Sequence, residues 1–479
     1  MLNSNKIILI IIITFCSYNK VVSQEDNSLM NYLEIAAKNN PTVLQKYEEY
    51  EAALQKVPQV GSLPDPELSA GFFLSPMELI GGNQLADIRL MQMFPWFGTL
   101  KAAKDEMSLM AKAKYETFRD AKLQVLFDTQ QTWFDLYKVN QAIVISQKNL
   151  EILNTLERLS LIKFKSASIS GRSNSSSLVS AQSKVTQSTS SGSSGMSGMS
   201  GNISNGSNST NAQSSGMQGN TMSSANGSGL TDLYRIQIEI SDLENDIALL
   251  NNQKNTVVAR FNNLLNRPEQ EIIKIPDTIK SNTLNLPLLA VADSILVQNP
   301  MLSMLNYEKQ SLEARSEMVT KMGFPMIGLG LNYSLIGKNE MSTLEMNGND
   351  MIMPMLTVTL PIYRKKYKAM QVETEKLKTA TEHQLVATSN SLKNEYYETV
   401  QSYEDSKRKI ALYNKQYSLA NQSLSIMIKS FSASSVSLTD LLSIQQQTLN
   451  YELKQVQAVA DFNTAIAKLQ RLMANLPIQ

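Results

Sequence analysis

The chain has 479 residues, with 44 Lys and Arg against 43 Asp and Glu, one His and one Cys. Its length exceeds that of a usual compact domain, so two domains or one elongated body is expected. The near-neutral balance gives no reason to expect nucleic acid. A single histidine, His383, leaves no room for a His-ligated catalytic zinc or a His-based triad. No nucleotide-binding loop is present, and no carboxylate pair sits on a recognisable cleft-forming pattern, so an enzyme and a bound cofactor are both disfavoured.

At the start of the chain Lys6 precedes an apolar run, Ile7 to Phe15, and Val21 and Ser23 place small residues before a cut at Gln24. Residues 1–23 are therefore expected to be a secretory signal peptide, since the run is far shorter than the ~20 residues that span a bilayer. Cys16 is the alternative, as a lipidated cysteine, but Phe15 stands where such signals carry a small residue. With the cut after Ser23 the mature chain has no thiol, and its charge becomes 42 basic against 43 acidic residues.

The rest of the chain repeats once, with residues 24–287 as the first copy and 288–479 as the second. Asn40-Pro41 and Asn299-Pro300 each open a helical stretch. Phe94-Pro95-Trp96-Phe97 and Leu360-Pro361-Ile362-Tyr363 each close an extended stretch, and a long helical pattern follows both. Thr99 to Lys165 has neither Pro nor Gly, and places Leu126, Trp133, Tyr137 and Val144 on one stripe. Lys365 to Ile428 repeats that pattern, with His383 on a polar face. The last helix carries a coiled-coil seam through Val459, Phe462, Ile466, Leu469 and Met473. Leu230-Thr231-Asp232-Leu233 matches Leu438-Thr439-Asp440-Leu441. The prolines of the extended stretches lie 266 residues apart and the aspartates only 208, so the first copy carries about 58 additional residues. They fall at 173–228, a Ser/Gly/Asn/Met segment expected to be a disordered insertion.

Four segments alternate with a period of two. Leu68, Ala70, Phe72 and Leu74 form the first, and Ile88, Leu90 and Phe94 the second, where Gln92 breaks the apolar face. Ile327 to Leu335 form the third, and Leu356, Val358 and Leu360 the fourth. That period suits strands with one face in lipid and one toward a polar lumen. Four strands cannot close a barrel, which needs at least about eight, so either several chains share one barrel or the strands form a small soluble sheet.

With its doubled order of helix, strand, strand, long helix and helix, its paired Asn-Pro openings, Leu63-Pro64-Asp65-Pro66, Pro-terminated second strands and paired Leu-Thr-Asp turns, the chain resembles the TolC-like outer-membrane efflux proteins from about Asn27 to Leu476. The resemblance implies an α+β membrane protein: a long α-helical coiled-coil barrel continuous with a trimeric transmembrane β-barrel, four strands per chain and twelve in total. It implies a homotrimer in the bacterial outer membrane, in contact with outer-membrane lipid and reaching into the periplasm. A periplasmic adaptor and an inner-membrane pump of the RND type are the implied partners. It places Asp232, Asp440, Thr231, Thr439 and Phe431 at a periplasmic entrance, although Thr and Asp at helix starts also serve as caps. The family's second turn often carries an Arg, and Ser434-Ser435-Val436-Ser437 has no basic residue. A type I secretion duct and a non-channel coiled-coil protein remain alternatives. Within that family the chain most resembles the heavy-metal-efflux branch, and thioethers suit Cu(I) and Ag(I). Met196, Met199, Met217 and Met222 of the insert are the candidate contacts, and Met341, Met346, Met351, Met353 and Met355 cluster near the fourth strand; gap-filling is the bland reading.

Overall fold

The computed structural model describes residues 28–79, 81–170, 228–280, 287–341, 343, 345–433 and 435–475. The expected signal peptide with Cys16, Ser434, and the insert with Met196, Met199, Met217 and Met222 lie outside the described residues, except for Ser228, which opens a helix.

The first copy contains α1 (Ser28–Asn39), α2 (Pro41–Gly61), β1 (Glu67–Leu79), β2 (Gly82–Phe94), α3 (Thr99–Ser170) and α4 (Ser228–Leu264). The second contains α5 (Leu288–Gln298), α6 (Pro300–Met322), β3 (Met326–Gly337), β4 (Met351–Thr359), α7 (Arg364–Ser432) and α8 (Leu438–Leu472). The chain forms two compact units. One comprises Met1–Ile145, Ala248–Ser425 and Ser443–Gln479, and the other Ser146–Ile247 and Ile426–Leu442. Helices α3 and α7 run for 72 and 69 residues, and neither contains the Pro or Gly that would interrupt them. No helix among the described residues is long and apolar enough to cross a membrane.

In the first unit each Asn-Pro pair does two things at once. Asn40 and Asn299 are N-caps with the same backbone geometry, φ −65° and ψ 125°. Their side-chain oxygens accept from the amides of Thr42 at 2.9 Å and Met301 at 3.0 Å. Proline then occupies N1, where a missing N–H costs nothing. Each Asn also turns its amide onto the end of the closing helix of its own copy. Asn40 Nδ2 donates to the Leu264 carbonyl at 2.9 Å, and Asn299 Nδ2 to the Leu472 carbonyl at 3.2 Å. Those carbonyls have no partner within their own helices. The closing helices end alike too. Asn266 and Ala474 adopt φ of 52° and 54°, and the amides of Arg267 and Asn475 reach back to the carbonyls of Asn262 and Gln470.

The core follows the repeat. Tyr32, Ala36, Val43, Phe261 and Leu265 pack in one cluster. Val291, Ile295, Leu302, Leu469 and Met473 occupy the equivalent places in the other. The seam expected along α8 is buried at Phe462, Ile466, Leu469 and Met473. The stripe expected along α3 holds at Leu126, Trp133 and Tyr137 but fails at Val144, which is 50% exposed. A buried seam runs instead through Leu126, Thr129, Trp133, Leu136, Val139 and Ile143. Its steps of three and four average 3.4 residues per turn. A seam shorter than 3.6 drifts off a straight-helix stripe and calls for left-handed supercoiling. Glu116 is buried beside Arg119 at 2.7 Å; burial pushes its carboxyl above the ordinary range, and the guanidinium opposes that rise.

The four strands form one antiparallel sheet in the order β1-β2-β3-β4. Register puts Leu68, Leu90, Leu331 and Pro354 in one row, and Ala70, Ile88, Tyr333 and Ile352 in the next. Phe72, Ala86 and Leu335 continue that face. The opposite face carries Ser69, Arg89, Asn332 and Met353 in one row, and Gly71, Asp87, Ser334 and Met351 in another. The burial is inverted relative to a water-soluble sheet: Phe72, Leu74, Ile352 and Leu356 are exposed, whereas Asn332 and Ser334 are buried. Gln92, the polar interruption on the apolar face, donates to the carbonyl of Pro64 at 2.8 Å and thereby fastens the Leu63-Pro64-Asp65-Pro66 connection.

Replacing Asn40 or Asn299 by Ala removes a cap and strands a helix-end carbonyl, and should destabilise the fold by about 1–3 kcal/mol each. Asp at either position keeps the cap but lacks the amide donor, so its melting temperature should fall between wild type and Ala. A wild-type melting temperature in the Ala variants would refute the clasp.

Candidate functional site at the α7–α8 turn

The second unit holds the residues for which the sequence predicts an entrance. Leu438, Leu441 and Leu442 bury the start of α8, and Ile236 buries the corresponding part of α4. These apolar anchors leave Thr231, Thr439 and Asp440 exposed and Asp232 half-buried.

Capping falls to a different residue from those expected. Ser437, just before α8, accepts from the Asp440 amide at 3.2 Å, and its hydroxyl donates to Asp440 Oδ2 at 2.8 Å. This is a variant of the reciprocal capping box, with the acidic residue at the third helical position. Asp440 also places negative charge in the first turn, where the helix dipole favours it. In the first copy Thr231 and Asp232 lie inside α4, which begins at Ser228.

Phe431 is only 4% exposed, so its ring faces protein in this chain. Lys163 of α3 sits over it, Nζ 4.6 Å from the ring centroid. Such a contact contributes about 0.5–1 kcal/mol at an accessible site.

The sequence pattern did not reveal Arg235. The turn 434–437 has no basic residue of its own, yet Arg235 of α4 donates from Nη1 to Thr439 Oγ1 at 2.6 Å. It supplies a cation from the other copy to the second Thr-Asp motif through one hydrogen bond. The available signal was its position one helical turn after Thr231. Gln237 of α4 donates to Glu157 of α3 at 2.9 Å, so polar contacts also join the helices of the first copy here. The expected Asp232, Thr231, Asp440, Thr439 and Phe431 all belong to this unit. Among the described residues no group of three or more His, Cys, Asp or Glu is placed to hold a metal ion.

Long helices carrying a four-stranded antiparallel sheet, built from two copies of one unit, define the fold class of bacterial outer-membrane channels. The outer-membrane channel OprN matches with a TM-score of 0.67 at 12% identity, over 94% of this chain and 91% of that one. The channel-forming protein CusC matches at 0.66 and 13%, over 94% and 92%. The outer-membrane protein VceC of Vibrio cholerae matches at 0.67 and 12%, over 93% and 96%. No protein-family model and no curated protein sequence matches the chain. The fold is the TolC-like fold of these channels.

A neutral-to-charged hydrogen bond at an accessible site contributes about 1 kcal/mol. Arg235→Ala should therefore raise hydrogen exchange at the amides of 438–442 roughly fivefold. Thr439→Ala should do the same, and the double variant should add little, since both remove one contact. Fully additive effects would show that the contact carries no coupling.

Proposed function

We propose that this chain is the outer-membrane channel subunit of a tripartite efflux system. Three copies pair their open edges, β1 of one with β4 of the next, into a twelve-stranded barrel. The observation that supports this most is the inverted sheet, with apolar rows outward and polar rows buried, ending in two edges that have no strand partner among the described residues. Lipid suits the apolar rows, and only closure satisfies the edge amides and carbonyls within a bilayer. The chain is a passive conduit with no enzymatic role. A periplasmic adaptor engages the α3–α4 and α7–α8 ends, and an RND-type inner-membrane pump supplies the energy. Similarity in fold to OprN, CusC and VceC supports the channel reading. A type I secretion duct is the alternative use of the same conduit.

Asp232 and Asp440 from three copies place six carboxylates at the entrance, which concentrates cations there. The full-length protein should migrate as a heat-sensitive trimer and give discrete, cation-selective conductance steps in planar bilayers. Asp232→Asn with Asp440→Asn should reduce the selectivity without removing the steps. A protein that never leaves the soluble fraction and gives no steps would overturn the channel.

A second reading concerns cargo. Met91 and Met355 flank Gly330, and Met93 lies across Gly328. Met351 and Met353 pair with Ser334 and Asn332 on the same polar face. Five thioethers facing the lumen suit soft monovalent cations such as Cu(I) and Ag(I). In a deletion strain, wild-type protein should restore silver and antibiotic tolerance. Replacing Met91, Met93, Met353 and Met355 by Leu, which conserves volume, should reduce silver tolerance alone. Equal restoration by both proteins would remove the metal from the proposal.

A further inference from the structure

Arg364, Lys365, Lys366 and Lys368 give four cations in the first five residues of α7. All four are exposed, and among the described residues no carboxylate pairs with any of them. The first turn of α7 contains no acid. The arrangement runs against the helix dipole, which favours anions at this end, and it sets like charges one turn apart. Among the described residues no ion pair offsets it, so the cluster is free to meet an anion from outside the chain.

The surroundings define what brings that charge. Arg364, Lys365 and Lys368 line one rim of a cavity of about 870 Å³. The rest of its wall includes Phe324, Pro325, Leu360, Pro361 and Ile362. Leu360 and Ile362 follow the last strand pairing at Thr359, where the Ile362 amide turns back onto the Leu360 carbonyl at 2.9 Å, and add apolar surface beyond the strand end. Both are well exposed, at 63% and 71%, as is Tyr363 at 79%. Trp96, in a second cavity that shares Pro325 with this one, stacks on Phe324 with ring centroids 5.1 Å apart. Apolar surface therefore passes directly into an aromatic collar and then into unpaired positive charge. That is the order in which a lipid presents its chain, its glycerol and its phosphate.

We propose that this cavity is a binding site for an anionic phospholipid. One acyl chain lies against Phe324, Leu360 and Ile362, and the headgroup phosphate is held by Arg364, Lys365 and Lys368. Tyr367 lines the cavity between the basic residues, and Lys366 lies over its ring at 6.0 Å, available to the same headgroup. The proposal rests on the outer-membrane reading above and adds to it a headgroup preference at one level of the bilayer.

The test uses Trp96, one of only two tryptophans in the chain. The full-length protein is reconstituted in phosphatidylcholine vesicles containing a fixed fraction of brominated lipid, either phosphatidylglycerol or phosphatidylcholine. The contribution of Trp96 is isolated by comparison with Trp96→Phe. Brominated phosphatidylglycerol should quench Trp96 about threefold more strongly than brominated phosphatidylcholine, and added salt should erode the difference. The preference should vanish when Arg364, Lys365, Lys366 and Lys368 are replaced by Ala. It should also fall in the single variants Lys365→Glu and Lys368→Glu, which change one exposed side chain each. Equal quenching by both lipids, or a preference that survives all these variants, would overturn the headgroup site and leave the channel standing. No quenching by either lipid would overturn both.

Discussion

The fold depends on how the ends of very long helices are closed. A helix of 37 residues such as α4 or 35 such as α8 leaves its last carbonyls without partners, and here those ends lie next to apolar cores. An unsatisfied carbonyl in such a place costs about 1–3 kcal/mol. One asparagine per copy solves the problem from the opposite end of the copy. Asn40 lies 224 residues before Leu264, and Asn299 lies 173 before Leu472, yet each spends its oxygen on its own helix start and its amide on the distant helix end. No other side chain of that size offers an acceptor and a donor at such fixed separation. The clasp therefore fixes the register between the first and last helices of each copy, and the apolar clusters form around that register.

The sheet reverses the usual pattern of burial. In water, Leu68, Phe72 and Leu356 would be buried and Asn332 and Ser334 exposed, yet the reverse holds. The pattern is the one expected if the outer rows face lipid and the inner rows a polar lumen, as proposed above. The same logic reaches the rim, where Leu360, Ile362 and Tyr363 carry the apolar surface past the last strand pairing. On the outer-membrane reading, the basic start of α7 falls at the boundary between hydrocarbon and headgroup. In the proposed lipid site, its conflict with the helix dipole would be offset by a headgroup phosphate.

Much of this was legible in the sequence, for a definite reason. Period-two and period-3.6 patterns report on one element at a time, and the strands and long helices are elements whose patterns are uninterrupted. Duplication then made each reading available twice. What failed was long-range or collective. Val144 satisfied a straight-helix stripe but not the shorter seam that packing between helices selects. Asn-Pro was readable as a helix start, but nothing local indicates that the spare amide of Asn40 finds Leu264. Gln92 looked like a defect because its partner, the Pro64 carbonyl, belongs to another segment. Ser437 was readable in principle, as the first residue of a Ser-x-x-Asp box. For Arg235 the sequence offered only its place one turn after Thr231, and not its partner Thr439, 204 residues away in the other copy.

The two copies also show where variation is tolerated. From Asp232 to Leu264 and from Asp440 to Leu472 the spacing is the same 32 residues, so the returning helices α4 and α8 carry one register from turn to clasp. About 58 additional residues placed inside either helix would carry every apolar position beyond them some 87 Å along the axis, at 1.5 Å per residue, and rotate the stripe off its seam. Lying before Thr231 in the sequence, they leave the spacing along the returning helix unchanged. The same freedom appears in single residues: Arg235 in the first copy corresponds to Ser443 in the second, while Asn40 and Asn299 are the same. The clasp end is held to symmetry because both copies must close a helix there. The turn end is released from it, and one copy can supply a cation that reaches the Thr-Asp motif of the other.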